Sequence, residues 1–492
     1  MIRLLGICWL LAIAALPVVS GQNEDLGRIY QEARQAEAAR DLTTAASKYE
    51  SIVKIRPDIA EAFANLGNVY YQQGKTEKAA VAYKRAIALK PQLTGPYFFL
   101  GMMAFHQRAY QDALRYLRSA ERLEPQNAAV HSYLGYTNYA LGAYNNAAGE
   151  LEKALDASGV DQDVLYHLSK SYSHLAAASF DKLVKRFPNS FQAHLAQGHL
   201  YETRQEWKRA AEEYEAALKG LPGNAALRRK HTWISEKAEG KTSESNYDAS
   251  DKLIDGSLVY LYGHSSSRLN EEIAARGVKA KPSVSPKESA EALYFTGEDF
   301  QILSYLASLE VIRLQPGSYR AKQLEAQLLE NSGKDDEAIA KYREVAALEP
   351  NLKNTHFAIG NLHWKRQQFA EAAPELQKEL KIDPNHPQAL YELGDIAVVD
   401  GKSAEAEEYF LKALKYEPNM IEAHYGLEKI YTEAGQYEKS IRHLNAALKL
   451  APSDPTPHYR LARIYRRQGR TAEADAELQL FESMRNKTGS PK

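Results

Sequence analysis

Ten prolines stand at Pro57, Pro91 and Pro125, then at Pro188 and Pro222, then at Pro316, Pro350, Pro384, Pro418 and Pro452. Within each group the step is 34 residues, the length of a helix–turn–helix unit repeated along a chain. A period of this kind overrides the domain number that 492 residues would otherwise suggest, because each unit touches only its neighbours and the array grows in one dimension.

The segment from Ala60 to Leu93 shows the unit most clearly. Phe63, Leu66, Gly67 and Tyr70 fall on one side of a first helix, Gly74 breaks the chain, and Ala79, Tyr83 and Ala86 line a second helix before Pro91. Spacings of three and four put these groups on single helix faces. Small Gly67 and Ala79 sit where two helices must approach, and Pro91 ends the second helix for want of a backbone donor. Similar copies carry Leu100-Gly101 before Pro125, Leu134-Gly135 before Gly159, Ile359-Gly360 before Pro384 and Leu393-Gly394 before Pro418. The pattern resembles the tetratricopeptide repeat, whose signature runs large residue, Leu-Gly, Tyr, Ala, aromatic, Pro. The resemblance implies an all-α, right-handed α-solenoid of about twelve repeats closed by a capping helix.

Shifting residues Asp163 to Asn224 by 128 positions lays them without gaps on Glu291 to Leu352. Leu165-Tyr166 meets Leu293-Tyr294, Pro188 meets Pro316, and Tyr214 meets Tyr342. Both copies open with a repeat about five residues short, which reads as a cramped inter-helix turn near Tyr172 to Ala176. The expected organisation is a signal peptide at 1–21, a first array at 22–224, an irregular insert or degenerate repeat at 225–287, a second array at 288–484 and a flexible tail at 485–492. Inside the insert, Lys241 to Ser250 and Lys279 to Lys287 have linker composition, and Leu253 to Tyr262 is a short apolar run.

Arg3 followed by an apolar stretch from Leu4 to Val19, then Ser20-Gly21, reads as a secretory signal. Export to the periplasm or exterior of a bacterium is the expectation. The one cysteine, Cys8, lies within it, so the mature chain would hold neither disulfides nor thiolate metal sites. A net charge of −1 with 25% charged residues gives no bias toward nucleic acid or an anionic membrane.

Motifs for chemistry are weak. Gly74-Lys75-Thr76, Gly240-Lys241-Thr242 and Gly401-Lys402-Ser403 lack the preceding glycine and strand of a phosphate loop. His131, His194, His356, His424 and His458 recur at the fourth position of their repeats, which suits packing and not a shared metal. No catalytic set, cofactor site or metal site is expected.

In the tetratricopeptide family the first helices of the repeats form the inner surface where partners dock. Carried over position by position, that surface comprises Tyr30, Asn68, Tyr71, Phe98, Met102, Phe105, Tyr136 and Tyr139 in the first half, and Asn361, Trp364, Tyr391, Asp395, Tyr425, Lys429, Tyr459 and Arg463 in the second. Asn65 and Asn68 fit the family's carboxylate clamp, but its paired lysines are missing, since Tyr30, Arg34, Gly95 and Phe99 hold the other places. Arg460, Arg463, Arg467 and Arg470 form a basic stripe that reads as a solvated cap face or an acidic-partner site. The expected function is a non-catalytic protein–protein scaffold assisting assembly of an envelope or secretion complex. Polysaccharide binding on the aromatic groove, or an enzyme site in the insert, are the alternatives.

Overall fold

The computed structural model describes residues 22–158, 161–240, 289–452 and 454–487. All regular elements among the described residues are α-helices, as the repeat period requires. The first hairpins are α1 (Gln22–Ala38) with α2 (Leu42–Ile55), α3 (Ala60–Gln72) with α4 (Thr76–Leu89), α5 (Thr94–His106) with α6 (Tyr110–Leu123), and α7 (Ala128–Ala140) with α8 (Tyr144–Ser158). A single long helix, α9 (Gln162–Arg186), is followed by the hairpin α10 (Phe191–Thr203) and α11 (Trp207–Gly220), then α12 (Ala225–Ala238). A second long helix, α13 (Ala290–Leu314), precedes α14 (Tyr319–Asn331) with α15 (Asp335–Leu348), α16 (Thr355–Lys365) with α17 (Phe369–Ile382), and α18 (Pro387–Val399) with α19 (Ser403–Tyr416). The last pairs are α20 (Ile421–Glu433) with α21 (Tyr437–Leu450) and α22 (Thr456–Arg467) with α23 (Thr471–Lys487). The chain is thus an α-solenoid.

The prolines act as local stops. Each of the ten sits two residues past a helix end, and the residue between them leaves helical geometry, as at Arg56 (φ −129°, ψ 85°) and Glu417 (φ −132°, ψ 81°). The ring of a following proline excludes the helical region for that residue. The turn inside each hairpin needs one residue in the left-handed region. Glycine supplies it at Gly74, Gly142 and Gly401, but Arg108, Gln205 and Gln367 take the same conformation at φ 60°, 58° and 57°.

The helices of a hairpin meet through a small residue facing a large one sixteen positions later. A Cβ at Gly135 would come within 2.5 Å of the buried Leu151 side chain. Phe410, 1% exposed, lies between Gly394 and Gly426, where added Cβ atoms would meet its ring at 2.7 and 2.6 Å. Any side chain at these glycines would overpack the interface.

The duplication is visible in the helix bounds. Shifted by 128, α9, α10 and α11 coincide end for end with α13, α14 and α15. Ser190 and Ser318 cap equivalent helices, accepting from the backbone N–H of Ala193 and Ala321 at 3.1 and 3.2 Å. The cramped turns expected in the short repeats do not form. With no glycine or proline between Tyr172 and Ala176, the chain stays helical, and α9 and α13 each run 25 residues unbroken. They meet at a matched position, where Tyr172 stacks on Phe300 at 5.8 Å, while Phe180 packs edge-on to Tyr294 and over Gly297.

Two compact units divide the chain. Among the described residues, one holds 22–199, 208–235 and 289–310, and the other holds 200–207, 236–240 and 311–487. Ala225–Ala238, the start of the expected insert, is α12, with Leu227 and Ile234 buried. The final helix continues past Met484 to Lys487. The signal segment with Cys8, the apolar run at Leu253–Tyr262 and the end of the tail lie outside the described residues.

Candidate functional site

The first helices of the N-terminal repeats bring together a row of aromatic side chains. Tyr83 stacks parallel on Phe99 at 5.4 Å, and Tyr71 tilts against the same ring at 6.0 Å. Tyr133 of α7 takes edge contacts from Phe98 (5.6 Å), Phe105 (5.7 Å) and Tyr136 (5.7 Å). Tyr136 then meets His167 of α9 at 4.5 Å, Tyr139 meets His167 and His174 at 5.6 and 5.9 Å, and Tyr144 stacks on His174 at 4.0 Å. Burial pushes the Tyr133 hydroxyl up to about 12. Burial also brings the Lys170 ammonium, set 5.6 Å over the Tyr166 ring, down to about 8.

Of the eight residues expected to line this inner face, Phe105, Tyr136 and Tyr139 belong to the row and are half-buried. Tyr71 begins it. Phe98 and Met102 are buried, at 8% and 2% exposure, because the next repeat covers them, so they offer a partner no surface. Tyr30 accepts a hydrogen bond from the Asn65 amide at 3.0 Å, and Asn68 accepts one from the Tyr83 hydroxyl at 2.8 Å. These two bonds engage both asparagines of the partial carboxylate clamp. Phe99, Tyr133, His167 and His174 join the row without having been expected as groove residues.

The second half is built differently. Asn361 donates to Glu392 at 2.5 Å, the Trp364 indole N–H donates to Asp395 at 3.0 Å, and Tyr425 donates to Asp454 at 2.8 Å. Each bond links neighbouring repeats, and Trp364 also meets the Tyr391 ring at 6.1 Å. Arg460 lies 4.7 Å over the Tyr425 ring and pairs with the buried Glu428 at 2.7 Å. Glu392 is 3% exposed; burial pushes its carboxyl up to about 8, and its second oxygen has no hydrogen-bond partner. Lys429, Tyr459 and Arg463 are exposed, Tyr459 resting on Phe481 at 5.4 Å. In the basic stripe, Arg460 and Arg470 are paired, with Glu428 and Glu473, and Arg463 and Arg467 face outward.

The fourth-position histidines have a partner that sequence reading missed, the side chain nineteen residues on. His131, His194, His356 and His458 reach Glu150, Glu213, Glu375 and Glu477 at 2.6 to 2.8 Å. Glu150 also lies beside Glu121, a grouping with the reach to hold a cation. The cation is already supplied, since Arg118 contacts Glu121 at 2.7 Å and Glu150 at 2.8 Å, with Lys153 close by. Burial alone would raise the Glu150 carboxyl, but His131 and Arg118 outweigh it and hold it at about 2.

Comparison with known proteins agrees with this geometry. Tetratricopeptide repeat profiles match residues 60–93, 97–161, 167–225 and 357–420, and a TPR repeat profile matches 429–469, together more than half of the chain. The chain belongs to the tetratricopeptide repeat family. No curated protein matches it significantly. Among solved structures, the crystal structure of MamA protein is 19% identical, covering 35% of this chain and 93% of that one at a TM-score of 0.33. YrrB, described as a TPR protein with an unusual peptide-binding site, is 18% identical over 37% of this chain and 93% of its own, also at 0.33. The APC/C hetero-tetramer Cut9-Hcn1 is 16% identical over 93% of this chain and 94% of that one, at 0.34. Superpositions this loose carry no information on partners.

Proposed function

We propose that this tetratricopeptide protein is a non-catalytic scaffold that holds an extended segment of a partner protein along the inner face of its N-terminal repeats. The observation that carries the reading is the aromatic row running from Tyr71 through Phe105, Tyr136 and Tyr139 to His174 on four successive first helices. Rigid aromatic rings give large contact area at low entropic cost and dominate interface energetics. The second half, whose polar inner side chains already bond one another, serves the array's own cohesion.

The reading extends to location. The apolar stretch Leu4–Val19 behind Arg3 supports export, and the proposed setting of the scaffold is an envelope or secretion assembly. Affinity purification from the native cell with quantitative mass spectrometry tests the function. The double variant Tyr136→Ala with Tyr139→Ala should lose the partner while keeping its melting temperature within a few degrees. Retention of every partner would reject the proposal, and loss of a bound glycan with proteins unchanged would favour polysaccharide binding on the same row.

A further inference from the structure

Five hairpins place a histidine at the same point of their first helix, and four of them pair it with a glutamate nineteen residues on. The hairpin α20–α21 alone among these five pairs it with another histidine. His424 Nδ1 lies 2.9 Å from His443 Nδ1. The Pro418 carbonyl acts on His424 as well, at the place where the Pro125 carbonyl meets His131 Nε2 at 2.7 Å. One of the two Nδ1 atoms carries the proton and donates it, and the other accepts.

This contact tolerates at most one extra proton. A second would set two N–H groups head to head and two positive charges within one hydrogen-bond length. The surroundings give limited relief. From α19, Glu407 acts on His443, yet it already accepts from the Tyr431 hydroxyl at 2.7 Å. Tyr431 of α20 stacks on His443 at 5.6 Å with Lys439 on its ring, and Arg442 of α21 adds positive charge. No charged group of α18 or α22 acts on the pair among the described residues.

We propose that the α20–α21 hairpin is an acid-sensitive joint of the C-terminal repeats, loosened by protonation of the His424–His443 pair under conditions that tighten the α7–α8 hairpin, where His131 meets Glu150. The titration supports it. Burial lowers both imidazoles, and burial with the neighbouring His424 and Arg442 brings His443 down to about 4. In contrast, His131 is raised by its bond to Glu150. A histidine with a lowered folded pKa binds its proton more readily when unfolded, so stability is lost as pH falls from about 6.5 towards 4. A raised one has the opposite slope. Loosening α20 would also release Tyr425 from Asp454 and Arg460.

Hydrogen exchange followed by mass spectrometry on the full chain between pH 7.5 and 5 tests this, with intrinsic rates corrected. The expected result is protection of α20–α21 falling with each pH unit below about 6.5, at most tenfold for each of the two imidazoles, while α7–α8 holds or gains. His443→Glu, which installs the pairing of the other hairpins, should abolish that fall, and His443→Gln, which removes one of the two imidazoles and leaves the burial-lowered His424, should make it shallower. Parallel behaviour of the two hairpins in the unaltered chain, or a fall as steep in both variants as in the unaltered chain, would overturn the proposal.

Discussion

The inner face of the N-terminal repeats is held by rings against rings, whereas that of the C-terminal repeats is held by hydrogen bonds between polar side chains of neighbouring units. The same backbone template therefore serves two ends. Aromatic contacts leave half-buried apolar surface for a partner, while polar bonds between repeats consume their own donors and acceptors. The difference teaches that the same register positions can carry different side-chain bonding in the two halves. Trp364, Tyr425 and Asp395 occupy docking positions and act as latches between repeats.

The comparison breaks most sharply at Arg460. Replacing it with alanine leaves the Glu428 carboxylate, 6% exposed, without its cation. Unpairing a buried charge is strongly destabilising, and with Arg460 partly solvated the expected loss is about 2 to 3 kcal/mol. Tyr136→Ala in the aromatic row should cost about 1 kcal/mol beyond its lost area. Chemical denaturation checks both; a loss at Arg460→Ala well below about 2 kcal/mol would erase the latch.

Next, counted per pH unit, is an effect of Glu392 in the C-terminal repeats. The Glu392 carboxyl stays protonated in the folded chain up to about pH 8 because it is buried, while in the unfolded chain it ionises near its ordinary value of about 4.3. The unfolded state then binds fewer protons, so stability falls with rising pH between those values, by at most about 1.4 kcal/mol per unit. Glu392→Gln should flatten this slope in melts taken from pH 5 to 8. A slope that is unchanged in the variant would assign it elsewhere.

The smallest effect should be shared by both halves. Arg108→Gly and Gln367→Gly relieve left-handed backbone at φ 60° and 57°. The steric gain of about 1 to 2 kcal/mol, less glycine's added entropy, leaves about 0.5 to 1 kcal/mol of stabilisation at each. Similar gains in the two denaturation midpoints would show that the halves differ in side chains and not in backbone.

Much of this architecture is legible in the residues because its causes are local. A proline stops a helix wherever it stands, and a glycine facing a large side chain marks a close crossing, so hairpin bounds and the 128-residue duplication follow from spacing. The long helices α9 and α13 were harder. A five-residue deficit at Tyr172–Ala176 suggests a tight turn, but no residue there can make one, and continuity wins. Phe98 and Met102 show the limit for the site, since whether a first-helix side chain is open depends on what the next repeat lays over it. The histidine pairings needed the partner nineteen residues away, on the facing helix, and His443 becomes notable only beside Glu150, Glu213, Glu375 and Glu477.

The central claim is that partners dock on the N-terminal aromatic row and not on the C-terminal latches. A photo-crosslinking amino acid placed at position 136 in one chain and at position 425 in another, irradiated in the native cell, tests it most directly. The account predicts a discrete crosslinked partner from position 136 and none from position 425; a partner captured only from 425 would contradict it.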